Sequence, residues 1–422
     1  MRRWWKVAAI CALAAIALSA ATVAPAGTTK TCAFQLKIGD VLPFTGDLAA
    51  YGPNLDRAVK LAVALDNKAL KAAGLKHASV KLVGSEDGQG SATAASEAAT
   101  KLIKSNGATV IIGEMASGAT IPMAQSVTIP DGVVLISPTA SDPAITSLND
   151  NGLVFRAYPS DTLQGKVLGT ASLDAFGKGA TLNVGARNDA FGTALLKLFV
   201  AQWTSLGGKI GQQVQWNPDQ ANFDTEAGQL VSGNPAGWVI IDFPTTFEKF
   251  VPSLVRTGKW SASKTLMTEA MRNTDELNKV GDPANGLRGT AASAAGGPAG
   301  TAFAALWKSS VTGAKPFTGF EGTAFDAANV AFLAAVKGCS AAPSKIKVNL
   351  RPVSGPPGTK VTFQNLTKAV KLLRAGKPVN YEGAFSPVDF DANGDIGSAV
   401  YEIWQYSNKQ ITTLKTITFK SS

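Results

Sequence analysis

The sequence predicts an α/β protein made of two doubly wound lobes, each with a parallel sheet covered by helices on both faces. Short apolar runs alternate with helix-like segments along most of the 422 residues, and this alternation is typical of parallel sheets. The units are too many for one sheet, and the chain is too long for one ordinary core. We therefore expect two lobes.

The predicted elements follow each other closely along the chain. Predicted strands lie at residues 36–42, 80–83, 110–113, 133–137, 153–157, 180–186, 238–242 and 264–267. Predicted helices lie at residues 53–73, 92–105, 190–206 and 247–257. The first helix carries Leu55, Val59 and Leu65 on one apolar face, and Ser91 is expected to cap the second.

The alternation changes after residue 340. Four prolines and two glycines within residues 341–362 predict an irregular excursion at the surface. A helix at 366–375 and strands at 399–406 and 411–419 follow. Residues 389–394 fit only the first half of a calcium loop, because Val400 replaces the glutamate that closes it, so a tight Asn-Gly turn is the prediction.

The first 26 residues are typical of a secretory signal peptide. A basic head, MRRWWK, precedes the apolar stretch 7–21 and a small-residue exit, Ala24-Pro25-Ala26. An uncleaved membrane anchor is the alternative, since residues 7–24 are just long enough to span a bilayer. The weak apolarity of this stretch favours cleavage, and we expect a periplasmic or otherwise extracytoplasmic protein.

Two of the three cysteines are left after removal of the signal peptide, which contains Cys11. In an oxidising compartment Cys32 and Cys339 are expected to form a disulfide. The alternatives are a lipid-anchored Cys32, although the preceding Thr29-Lys30-Thr31 lacks the small and apolar residues of such a site, and a free buried thiol at Cys339.

Charge and residue types exclude several classes of function. The formal net charge of +10 falls to +7 without the three cations of the signal peptide, and no basic run indicates binding to nucleic acid. The only histidine, His77, lies in a predicted turn, so neither a zinc site nor a Ser-His-Asp triad is indicated. A hydrolase that uses Ser117 or Ser141 remains an alternative, but no enzyme activity is expected.

Loops of small and hydroxyl-bearing residues follow the predicted strands. "GEMASGATIPMA" begins at residue 113, where Ser117 can open a helix whose free N–H groups favour a carboxylate. "ISPTASDP" at 136–143 adds further hydroxyls, and "FRAYPSDTLQG" at 155–165 brings Asp161 towards the space between the lobes. Ordinary helix capping is the alternative for each loop.

Six segments together resemble the extracytoplasmic solute-binding proteins of ABC transporters for branched-chain amino acids. They are "LPFTGDLAAYG", "IGEMASGATIPMA", "LISPTASDP", "FRAYPSDTLQG", "FDAANVAFLAAVK" and "VNYEGAFSPVDFDANGDIG". The resemblance implies a type I periplasmic binding protein whose lobes are joined by a three-strand hinge. We expect residues 34–157 with 286–385 to form lobe 1, and residues 158–285 with 386–422 to form lobe 2.

The resemblance also implies roles for individual residues. Ser117 would hold the ligand carboxylate, residues 139–141 the amino-acid head, and Asp161 the ammonium group. Phe191 stands where the family usually has a tyrosine, and Pro244, beside Phe243, replaces a second one. The full expected ligand-binding set is Tyr51, Met115, Ala116, Ser117, Thr139, Ala140, Ser141, Asp161, Phe191, Phe243 and Glu269.

The function implied is capture of an amino acid or related small carboxylate for a membrane permease, by a monomer that needs no cofactor or metal. Since Phe191 and Phe243 are expected in the cleft, an amide, a urea-like compound or an aromatic acid is an alternative ligand. A sensory ligand-binding module is a further alternative, because this fold also serves as a receptor domain. A zwitterion removed from water needs both of its charges paired.

Overall fold

The computed structural model describes residues 31–293, 298–314 and 317–420, so the predicted signal peptide lies outside the described residues. Within those ranges no helix is both long enough and apolar enough to cross a membrane. In chain order the first half contains β1 (Phe34–Leu42), α1 (Gly52–Ala72), β2 (Ala78–Asp87), α2 (Ala92–Lys104), β3 (Val110–Gly113), α3 (Ser117–Met123), β4 (Val134–Ser137), β5 (Val154–Arg156), α4 (Asp161–Phe176), β6 (Thr181–Arg187), α5 (Ala190–Ser205) and β7 (Lys209–Trp216). The second half contains α6 (Asp224–Leu230), β8 (Gly237–Ile241), α7 (Pro244–Arg256), β9 (Thr265–Met267), α8 (Thr274–Val280), β10 (Arg288–Ala292), α9 (Pro298–Ser310), α10 (Phe320–Gly338), α11 (Pro343–Ser354), β11 (Thr359–Val361), α12 (Leu366–Arg374), β12 (Val379–Tyr381), β13 (Ser398–Ser407) and β14 (Gln410–Lys420).

The first lobe is built on a five-stranded, all-parallel sheet with the order β2-β1-β3-β4-β5. Strands β3 and β4 are buried at every residue, which explains their continuous apolar runs. Helix α10 packs against α1, α11 and α12 and is buried over nearly its whole length. Its sequence accordingly has apolar residues all around the helix rather than on one face, with Glu321, Asp326 and Asn329 as buried polar exceptions.

The second lobe contains a seven-stranded sheet with the order β14-β13-β10-β9-β8-β6-β7. Its strands β6 to β10 are parallel, and β13 and β14 add an antiparallel edge. The two-lobed α/β architecture predicted from the sequence is therefore confirmed. The expected boundary at residue 286 is wrong for one strand, because β10 pairs with β9 and β13 in the second lobe instead of joining lobe 1.

The chain passes between the lobes after β5, after β10 and between β12 and β13. The first and third passages are joined by the buried Arg156, whose Nε lies 2.6 Å from Asp395 Oδ1. Arg156 Nη1 also donates to Asp142 O at 2.9 Å. Asp395 belongs to the predicted Asn-Gly turn, in which Gly394 has a φ of +80°. This turn therefore helps to fix the connection between the lobes.

Residues 341–362 are more regular than their prolines predict. They form α11 and then β11, which pairs in parallel with β12. Pro343 lies in the first turn of α11, where a missing N–H does no harm. Ile346, Leu350 and Val353 are buried on one face of this helix, which packs against α10. The prediction of an irregular excursion is wrong because this apolar stripe outweighs the proline signal.

Two predicted local features have different outcomes. Cys32 and Cys339 form the expected disulfide, with their Cα atoms 5.4 Å apart. Ser91 occupies the N-cap position of α2, but its side chain makes no capping hydrogen bond. The expected cap at Ser91 is therefore wrong in its chemistry, although the helix begins where predicted.

Candidate functional site

A narrow cleft lies between the lobes, and the space in it that atoms do not fill, including the part open to solvent, is about 310 Å³. Loops that follow parallel strands of both lobes contribute its walls, which is where α/β sheets bind ligands. The lining residues are Leu48, Met115, Ala116, Ser117, Thr139, Ser141, Phe191, Phe243, Glu269, Ala270 and Phe320.

Two loops of the first lobe are tied together by hydroxyl groups. Ser117 Oγ accepts hydrogen bonds from the backbone N–H groups of Ser141 and Asp142, both at 3.2 Å. Thr139 Oγ1 donates to Met115 O at 2.9 Å. The Ser117 hydroxyl therefore holds the neighbouring loop in place and keeps only its proton for donation to a ligand.

The beginning of α3 offers backbone donors to the cleft. No side chain caps this helix, and the N–H groups of Ala119 and Thr120 both donate to Ala116 O. Among the described residues, the N–H groups of Ser117 and Gly118 have no partner in this turn. Because a helix start favours negative charge, these two donors suit a carboxylate.

Glu114 explains how the loop before α3 is shaped. Its buried carboxylate accepts hydrogen bonds from Ala116 N at 2.7 Å and from Gly90 N at 3.1 Å. Burial raises the pKa of Glu114 to about 7, against the effect of these donors. The side chain thus joins the loops that follow β2 and β3, a role the sequence does not reveal.

Two acids, Asp161 and Glu269, are buried at one end of the cleft. Asp161 Oδ2 accepts the Ser141 hydroxyl at 3.0 Å, whereas its Oδ1 has no hydrogen-bond partner among the described residues. Glu269 accepts a short hydrogen bond from Gln164 Nε2. Burial, and then repulsion by Glu269, raises the pKa of Asp161 well above its usual value. Burial raises the pKa of Glu269 to about 7.

The surroundings of these acids add acceptors but no bonded cation. The buried hydroxyls of Tyr158 and Tyr401 and the Oε1 atom of Gln164 have no hydrogen-bond partner within the described ranges. No Lys or Arg of the described chain forms an ion pair with Asp161 or Glu269. Among the described residues these two acids therefore have no ion-pair partner, and the charge of Arg156, which is paired with Asp395, only partly offsets the rise in the pKa of Asp161.

Aromatic rings form the wall supplied by the second lobe. Phe191 and Phe243 are stacked, with their centroids 5.2 Å apart and an interplanar angle of 19°. The guanidinium carbon of Arg187 lies 3.8 Å from the centroid of Phe243. Across the cleft, Phe320 packs edge-on against Tyr51 at 5.3 Å. The wall is therefore apolar and held in a fixed orientation.

The predicted site residues fall into two groups. Eight line the cleft: Met115, Ala116, Ser117, Thr139, Ser141, Phe191, Phe243 and Glu269. The other three are buried just behind the lining. Tyr51 donates its hydroxyl to Ala270 O at 2.7 Å, Ala140 N donates to Ser137 Oγ at 3.0 Å, and Asp161 contacts the cleft through Ser141.

Sequence reasoning missed several residues of the site. Leu48, Ala270 and Phe320 line the cleft, and Gln164 contacts Glu269. Gln164 follows Asp161 by three residues on α4, so helical spacing could have indicated it. The alternative for Asp161, a cap for a helix beginning at Thr162, is also wrong, since Ser160 is the cap and Asp161 is the first helical residue.

The fold and this cleft define a two-lobed binding protein, and comparison with known families gives its class. A family model described as "Periplasmic binding protein" matches residues 35–409. The chain therefore belongs to the periplasmic binding protein family, in agreement with the resemblance seen in the sequence.

Known relatives extend this result. The chain is 27% identical over 364 residues to the chemotactic signal transduction system substrate-binding protein BasB of Halobacterium salinarum, covering 84% of this chain and 83% of that protein.

Solved structures share the fold. The leucine binding protein LivK of Thermotoga maritima superposes with a TM-score of 0.73 at 20% identity, over 90% of this chain and 98% of that one. A solute binding protein from R. palustris, solved in complex with benzoate, gives a TM-score of 0.67 at 18% identity, over 90% and 96% of the two chains.

Proposed function

We propose that this protein is the substrate-binding component of an ABC importer, which encloses an amino acid between its lobes and delivers it to a membrane permease. The observation that carries the proposal is the pair of buried acids, Asp161 and Glu269, without a bonded cation among the described residues. Because an uncompensated buried charge is costly, these acids suit a ligand that brings an ammonium group.

The opposite charge of such a ligand would meet the beginning of α3. The N–H groups of Ser117 and Gly118 and the Ser117 hydroxyl proton are the donors available there. Charge-assisted hydrogen bonds to a carboxylate are stronger than neutral ones. An amino acid held in this way has both charged groups paired, and its side chain lies against Phe191 and Phe243. Binding of this kind involves no covalent step.

A thermal-shift screen of the ligand-free protein tests this proposal. L-leucine, L-phenylalanine, benzoate and a short amide are suitable probes, because a ligand that binds only the folded state raises its stability as the free concentration exceeds the Kd. We expect amino acids to raise the melting temperature. Stabilisation by benzoate but by no amino acid would contradict the proposed ammonium site.

An aromatic acid is the second candidate ligand, favoured by the stacked rings of Phe191 and Phe243. The structurally similar R. palustris protein was solved with benzoate. Such a ligand could use the donors at Ser117 and the aromatic wall, but it would leave Asp161 and Glu269 without a cation. Both acids would then have to stay protonated, and this difference separates the two candidates experimentally.

The similarity to BasB favours an alternative use of the same bound state. BasB is described as a substrate-binding protein of a chemotactic signalling system. The closed, ligand-loaded protein could therefore bind a signalling receptor instead of a permease. Co-purification of a tagged, ligand-loaded protein with solubilised membrane proteins tests this, since a permease and a signalling receptor are distinguishable by mass spectrometry.

A further inference from the structure

The loop between β1 and α1 reaches from the first lobe into the second. Its base is fixed by Asp87, whose carboxylate accepts hydrogen bonds from Phe44 N at 3.0 Å and Thr45 Oγ1 at 2.6 Å. Gly46 has a φ of +83°, and a Cβ at this position would lie 2.4 Å from Gln89 O. This loop is thus a firmly held part of the first lobe.

Asp47, at the tip of this loop, contacts three residues of the second lobe. Its Oδ2 lies 2.9 Å from Arg187 Nη2 and accepts a hydrogen bond from Thr246 Oγ1 at 3.2 Å. Its backbone oxygen accepts a hydrogen bond from Thr245 Oγ1, also at 3.2 Å. These contacts exist only while the two lobes are together.

Arg187 joins this contact to the wall of the cleft. Its side chain is 6% exposed and also pairs with Asp189 at 2.5 Å and with Asp242 at 3.6 Å. Its guanidinium carbon lies over the ring of Phe243, which stacks on Phe191. The orientation of the aromatic wall therefore depends on where the guanidinium group is held.

We propose that Asp47 is a closing contact between the lobes and that Arg187 is a positioning residue, through which closure fixes the aromatic wall against the ligand. This inference deepens the proposed function and rests on it for the role of the wall. In the open state Arg187 keeps Asp189 and Asp242 as partners. Closure adds Asp47 as a third carboxylate, which anchors the guanidinium group from the opposite lobe.

The variant Asp47→Asn tests the proposal, with Asp174→Asn as its control. Asp174 also forms an ion pair, with Lys415 at 2.8 Å, but both partners belong to the second lobe and neither lines the cleft. The probes are L-leucine, and benzoate where L-leucine does not bind, and the readouts are association and dissociation rates and small-angle X-ray scattering.

We expect Asp47→Asn to raise the dissociation rate of the probe about tenfold, with an association rate within about twofold of wild type, because interface changes act mainly on dissociation. The radius of gyration of this variant should exceed that of wild type. The control should leave the dissociation rate within about twofold. A merely structural role for Asp47 would lower thermal stability without separating the two rates.

Equal dissociation rates and equal scattering for all three proteins would overturn the proposal. If neither probe binds wild type, the proposed ligand class fails, and the closing contact is judged by scattering alone. In that case identical radii for wild type and Asp47→Asn refute it, and a larger radius for Asp47→Asn supports it.

Discussion

Two buried charge clusters border the same cleft and differ in one respect. Arg187 is surrounded by acids of the protein itself, namely Asp47, Asp189 and Asp242. Asp161 and Glu269 lie close enough to repel each other, and the described chain supplies neither of them with an ion-pair partner. The acids of the first cluster can therefore hold the lobes together without a ligand, whereas we propose that a cation from outside completes the second.

Of the substitutions proposed, Asp161→Asn should have the largest effect on ligand affinity. The change removes a charge that a bound ammonium group requires, and amino-acid affinity should fall by about 2–5 kcal/mol. The free energy of unfolding of the ligand-free protein should stay equal or rise, because burial raises the pKa of Asp161 and makes its protonation a cost of folding at neutral pH, whereas an amide is neutral in both states. Calorimetric titration and urea unfolding measure the two quantities.

Asp66→Asn is the matched control for that experiment. Asp66 is also completely buried in the first lobe, and its carboxylate oxygens have no hydrogen-bond partner within the described ranges. It lines no part of the cleft, so the same substitution there should leave ligand affinity unchanged. If the two variants weaken binding equally, the effect of Asp161→Asn is a general consequence of disturbing a buried acid.

Ser117→Ala should have the next largest effect, on stability as well as on binding. The substitution leaves the buried N–H groups of Ser141 and Asp142 without their acceptor, which costs about 1–3 kcal/mol of unfolding free energy. Ser126→Ala is the control, since Ser126 is exposed and its hydroxyl contacts only Pro122 O, one turn earlier, and the Ser96 hydroxyl among the described residues. Thermal unfolding of both variants, which should leave Ser126→Ala close to wild type, checks the expectation.

Phe191→Leu tests whether the aromatic wall selects the side chain of the ligand. Removing one ring of the stacked pair loses an aromatic interaction of about 0.5–1.5 kcal/mol beyond area burial. An aromatic ligand should therefore lose more affinity than L-leucine does. The affinity ratio between benzoate or L-phenylalanine and L-leucine is the measurement, and an unchanged ratio would show that the wall does not select the side chain.

The pH dependence of stability should follow the unpaired acids. Burial raises the pKa of Glu269 from 4.5 in the unfolded chain to about 7, so the folded state binds more protons than the unfolded state in this interval. The resulting stability is fully present below pH 4.5 and is lost as the pH rises through 7. The decline in melting temperature between pH 5 and 7.5 should be smaller in Glu269→Gln.

The sequence predicts the lobes and most of the cleft for reasons that are local. Buried parallel strands are continuous apolar runs, and the loops that follow them carry Ser117, Thr139 and Ser141 to one edge of a sheet. Sheet order is not a local property, which is why β10 was expected in the wrong lobe. A proline signal likewise gives no information on whether a stripe such as Ile346, Leu350 and Val353 finds a partner.

Side-chain partners in the site were beyond prediction for a related reason. The sequence shows that Ser117 and Thr139 carry hydroxyl groups, but not that the backbone of a neighbouring loop uses them. Nor does it show that Gln164 and Glu269, more than one hundred residues apart, are in contact. Such contacts depend on how segments far apart in the sequence meet within a folded lobe, and they decide which polar groups remain for the ligand.

Proton release on binding tests the central claim most directly. Calorimetric titration at pH 7 in buffers of different ionisation enthalpy measures the number of protons exchanged when the best ligand binds. If an ammonium group pairs with Asp161 and Glu269, their raised pKa values fall on binding and protons are released, less so in Glu269→Gln. Tight binding with no proton released, or with protons taken up, would contradict the claim that these acids are completed by a cation.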